Sequence, residues 1–82
     1  MIGKYVIING SPVLFPDDIL HADMVNCSQE VESAGFFAIF LDQEKKIQRL
    51  TCMGESTSLL VSSRPEIDQK IISSFLGLEL ST

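Results

Sequence analysis

Three short stretches of this 82-residue chain carry side chains that could do chemistry: Gly54-Glu55-Ser56-Thr57-Ser58, the acidic run from Asp17 to Asp23, and Ser63-Arg64-Pro65-Glu66. A serine nucleophile on a tight turn needs strand before it, helix after it, and glycine two residues beyond, so that the strained turn is not crowded. Position 58 is serine and the residues after Ser56 read as strand, so Ser56 does not fit. The base would have to be His21, the one histidine, and no spacing brings it to Ser56. A phosphate loop ends in Gly-Lys-Ser/Thr, whereas Gly3-Lys4 is followed by Tyr5. On a helix Asp17 and Asp18 would share a face with His21, a spacing that suits a hard-metal or proton-transfer site. It suits equally an acidic helix start paired with a histidine, and the lack of further ligands favours that. Ser56, Arg64 and nearby backbone N–H groups would form an anion site if their two turns met in space, with His21 as a third polar candidate.

The charge balance removes other classes. Six basic residues against eleven acidic ones give a net charge of −5, and binding to a nucleic-acid backbone needs lysine and arginine to displace its counterions. Glu30, Glu32, Asp42 and Glu44 sit in polar runs that read as solvated surface, where a carboxyl keeps its ordinary acidity and makes a poor general acid. Cys27 and Cys52 are isolated, without a second cysteine at metal or redox spacing, and read as free thiols. Met1 runs directly into strand-like sequence and no apolar run approaches the about 20 residues needed to cross a bilayer. These readings together describe a cytoplasmic protein without catalytic residues, metal or cofactor.

The elements follow from periodicity. Lys4–Phe15 is rich in residues that fit a pleated sheet, and Asn9-Gly10 in its middle accepts the positive φ angles of a type I′ hairpin turn. Pro12 cannot donate to a ladder, which puts the return arm at a sheet edge. Phe15–Val25 changes to helical spacing, with Pro16 at the start, Asp17 and Asp18 in the first turn, and Leu20 and Met24 four apart. Cys27–Gly35 is polar and aperiodic and reads as loop. Phe36–Leu41 and Ile47–Met53 read as strands joined by the polar loop Asp42–Lys46, and Thr57–Ser62 as another strand. Ser63 and Glu66 have capping-box spacing. Behind them Ile67, Ile71, Ile72, Phe75 and Leu76 make a helical stripe that Gly77 ends. The expected architecture is a single α+β domain over residues 1–82: about five antiparallel strands in the order β-β-α-β-β-β-α, with two helices on one face.

That architecture makes the Phe36–Leu41 strand the strongest functional signal. With both helices on one face, either Phe36, Ala38 and Phe40 or Phe37, Ile39 and Leu41 would line the other, exposed unless something covers it. A second copy of the chain, packed about a two-fold axis, is the commonest cover. Two segments, Ile8–Met24 and Gly54–Asp68, resemble short, mostly uncharacterised proteins encoded in phages and prophages of bacteria. The resemblance spans a strand–turn, a helix with an embedded His-Ala-Asp, and a Gly-Glu-Ser to Ser-Arg-Pro-Glu segment. It implies a bacterial or phage setting and action by binding a host or phage protein; it carries no site residues with it. The leading expectation is a self-associating interaction module, most simply a homodimer. Its rivals are a small enzyme or regulator built around His21, Asp17, Asp18 and Glu55, and an acidic mimic of nucleic acid that binds a basic protein.

Overall fold

The computed structural model describes residues 1–26 and 28–77; Cys27, one of the two expected free thiols, lies outside them. Asn9 (φ 51°) and Gly10 (φ 76°) form the expected hairpin turn, joining β1 (Ile2–Ile8) to β2 (Ser11–Phe15). β2 is an edge strand, with Pro12 paired to Ile7, where its missing N–H costs no ladder bond. β3 (Val31–Leu41) and β4 (Ile47–Met53) complete an antiparallel sheet in the order β2-β1-β3-β4. The loop between them is held by Asp42, whose Oδ1 accepts from the N–H groups of Glu44 and Lys46, both at 2.9 Å. A two-residue ribbon, β5 (Glu55–Ser56) with β6 (Val61–Ser62), precedes α1 (Pro65–Leu76).

The structure is α+β and antiparallel, and it departs from the sequence expectation in four places. β3 begins at Val31, inside the stretch expected to be loop. Ser33 is fully buried there because its hydroxyl has a carboxylate to bond, so a polar residue occupies an inward position and breaks the visible pattern. The expected first helix is a single 3-10 turn, His21–Met24, with Leu20 before it in extended conformation. Its groups are spent on distant partners: His21 bonds the backbone of β3 and the Ala22 N–H bonds Ser58. The expected strand Thr57–Ser62 is a turn for its first four residues, because Ser56 Oγ accepts the Leu59 N–H at 3.2 Å, a local bond that competes with a sheet ladder. Finally, the capping box at Ser63 and Glu66 does not form: the N-cap is Arg64, with Pro65 after it. The Arg64 N–H is taken instead by the Asp68 carboxylate at 2.8 Å. Gly77 ends α1 in the left-handed conformation (φ 72°), as expected.

The sheet therefore separates two apolar clusters instead of carrying two helices on one face. On one side Tyr5, Ile7, Phe37, Ile39, Leu50 and Cys52 pack against Ile72 of α1. On the other, Val6, Ile8, Phe15 and Ala34 are covered by Ile19, Met24 and Val25 around the 3-10 turn and by Leu59 and Val61 around the β5–β6 ribbon.

Candidate functional site

The densest polar chemistry lies under α1, at a residue the sequence pattern passed over. Asp68 falls on the inward side of the helix and is fully buried. Its carboxylate accepts from the Tyr5 hydroxyl at 2.5 Å, the Ser33 hydroxyl at 2.8 Å, the Arg64 N–H at 2.8 Å and Arg64 Nε at 3.2 Å. Arg64 Nη2 lies 3.1 Å from Oδ1, without the alignment of a hydrogen bond, and 3.7 Å from Glu32. Burying a charge is tolerated only with such saturation. Burial, and then the bond to Asp68, push the Tyr5 phenol far above its ordinary value. Burial also pushes the Cys52 thiol up to about 11, with the charge of Asp68 the next cause. Both groups stay protonated at neutral pH, so Cys52 is no thiolate nucleophile there. With its oxygens occupied and shut off from water, Asp68 is a fastening between helix and sheet, not an acid or base for substrate.

The two turns expected to make an anion site do meet, with Glu55 paired to Ser62 and the Ser63 N–H on the Gly54 carbonyl at 3.0 Å, but the polar atoms of Ser56, Arg64 and His21 each have other partners. His21 is 3% exposed, its ring edge-on to Phe15 and Phe36. Its Nε2 stands 2.8 Å from the Gly35 carbonyl; a carbonyl only accepts, so that nitrogen carries the proton. His21 makes no ion pair with Asp17, Asp18 or Asp23 among the described residues. Ser56, also buried, spends its oxygen on the Leu59 N–H and on Ser58 Oγ at 3.3 Å. The structure does bring the His21 turn against the Ser56 turn, through the Ala22 N–H to Ser58 Oγ at 3.2 Å. Arg64 is committed elsewhere, to Asp68 and Glu32. Among the described residues no cluster of three or more metal-ligating side chains is present.

What remains open is part of a sheet face. Phe37 and Ile39 point into the cluster under α1 and are 6% and 7% exposed. Strand alternation then puts Phe36, Ala38 and Phe40 on the other side. The register adds Met53 beside Phe36 and Ile2 beside Ala38. The 3-10 turn and the ribbon cover this face over Val6, Ile8, Phe15 and Ala34, and the His21 ring reaches the edge of Phe36. Beyond them Ile2 is 63% exposed, Phe40 51% and Met53 41%, with Phe36 half-buried. Leu41, at the end of β3, is also exposed. Lys4 stands over Phe36 and Arg49 over Phe40, each 5.8 Å from the ring centre, a cation–π arrangement. Lys4 Nζ donates to the Ile19 carbonyl at 2.9 Å, and neither cation has a carboxylate partner among the described residues. The open edge of β4 is less available, because Gln69 of α1 takes the Cys52 N–H at 3.1 Å and so blunts it against strand addition. Compared with family models, curated proteins and solved structures, the chain matches none of them. No helix among the described residues is long and apolar enough to cross a membrane.

Proposed function

We propose that this chain is a protein–protein interaction module without catalytic activity that associates with a second copy of itself. The setting implied by the resemblance, a phage or prophage accessory protein, belongs to the same reading. The observation that carries it is the exposed group Ile2, Phe40 and Met53 around the half-buried Phe36. Single exposed apolar residues are ordinary, but three on one face of a sheet, set around Phe36 and the buried Ala38, mark an interaction surface. The polar side chains, by contrast, are spent internally: Asp68, Ser33, Ser56 and His21 are all buried with partners.

Light scattering on a size-exclusion column, at two protein and two salt concentrations, tests this. The expected mass exceeds the chain's 9.1 kDa, rises with protein concentration and survives high salt, since apolar burial is not screened. Phe40→Glu returns it to monomer. A wild-type monomer at several hundred micromolar would refute the reading.

A further inference from the structure

We infer that the open sheet face is covered by helix α1 of a second copy, so that the chains associate head to tail. This rests on the self-association reading and specifies its geometry. The helix supplies the first reason. An amphipathic helix is expected to bury its apolar residues, yet α1 buries Asp68 and Ser73 and leaves Ile67 52% and Phe75 62% exposed. The Asp68 network sets this rotation: turning Ile67 and Phe75 inward would pull the carboxylate away from Tyr5 and Ser33. Ile67 and Phe75, two turns apart, therefore stand as a stripe at the helix's outer flank, with Ile71 between them partly buried against the inner cluster.

Size and charge supply the second. The stripe runs about 12 Å along the helix at 1.5 Å per residue. The open face runs about 14 Å from Phe36 to Phe40 at some 3.4 Å per residue. A helix laid there would give the sheet on that side the kind of cover α1 gives it on the other. Packing the face against its own copy would instead gather two Lys4 and two Arg49 side chains at one apolar interface. The strand partners of Phe36, Ala38 and Phe40 include no carboxylate, and burying unpaired like charges is costly. The charges beside the α1 stripe are Glu66 and Lys70, which cancel, and Arg64, which is paired with Asp68, so docking α1 brings two cations to a balanced stripe instead of to two more cations. Because stripe and face lie on opposite sides of the molecule, the contact is heterologous and propagates.

Two surface variants test this, Phe40→Glu for the sheet face and Phe75→Glu for the helix stripe, each first shown to melt like wild type. Sedimentation velocity is then run on wild type, on each variant alone and on their equimolar mixture. The expected result is wild-type association that grows past a dimer with concentration, two variants that are each monomeric, and a mixture that forms a 1:1 pair and grows no further. In that pair the intact stripe of one variant meets the intact face of the other. If Phe75→Glu associates like wild type while Phe40→Glu does not, the contact is face to face; the head-to-tail inference falls and self-association stands. A mixture in which no pair forms between two monomeric variants also overturns the inference. A wild type that stays monomeric overturns both.

Discussion

On one side of the sheet a single carboxylate gathers the helix and two strands; on the other, an assortment of turns lies over apolar side chains with few polar bonds. Asp68 joins α1 to β1 through Tyr5 and to β3 through Ser33. The opposite cover is anchored by His21 on the Gly35 carbonyl and by Ser58 on the Ala22 N–H. The contrast teaches where stability and availability reside. A saturated buried charge fixes both position and rotation, and so can hold apolar residues outward. A cover made of turns reaches only as far as its chain allows, and leaves half a face open.

The largest effect should come from removing the carboxylate. Asp68→Ala strands the Tyr5 and Ser33 hydroxyls and the Arg64 charge, a loss of about 3–5 kcal/mol, measurable as a lower urea midpoint; Asp68→Asn should lose less. A change below about 1 kcal/mol would show that the α1 side does not depend on the network.

Alkaline pH probes the same side. Cys52 and Tyr5 bind their protons more tightly folded than unfolded. What Cys52 contributes is therefore fully present below the unfolded thiol's 9.0 and is lost as pH rises through about 11. What Tyr5 contributes begins to be lost only above the unfolded phenol's 10.0. The share of Cys52 is on the order of 3 kcal/mol. Urea unfolding between pH 7 and 11 should show stability falling above about pH 9, with Cys52→Ala flattening the first part of that fall. Equal wild-type stability at pH 8 and pH 10.5 would contradict it.

On the other side, His21→Ala should cost about 2 kcal/mol, by leaving a cavity between two rings and an unpaired carbonyl at Gly35. Hydrogen exchange should speed up around the 3-10 turn while α1 keeps its protection. If both respond alike, the two faces are not independent. The smallest effect belongs to the open face: in the monomer Phe40→Glu should change stability by no more than about 0.5 kcal/mol, and a large loss in its melting curve would mean that Phe40 is part of the core.

Legibility in the sequence followed locality. The Asn9-Gly10 turn, the Asp42 loop and the Gly77 stop each depend on bonds or backbone angles within a few residues, and each stands where the residues put it. The 3-10 turn, the start of β3 and the Thr57–Leu60 turn are not legible because Ala22, Ser33 and Ser56 make bonds that local spacing does not reveal. The partners of Ala22 and Ser33 are 36 and 35 residues away. Ser56 bonds nearby but against the strand pattern. Of the candidate site, Phe36 and Phe40 were legible as one of two alternating sets, yet which set was free depended on where α1 packed.

By itself, then, the sequence determined the Asn9-Gly10 and Asp42–Lys46 turns, most of the strands, the terminal helix and the excess of negative charge, because these follow from residue-scale chemistry. Only the tertiary structure decided which face of the Phe36–Leu41 strand stays open and which way α1 is rotated. Both depend on Asp68 meeting Tyr5, 63 residues away, and a buried carboxylate with its partners looks, in the sequence, like any polar residue on a helix.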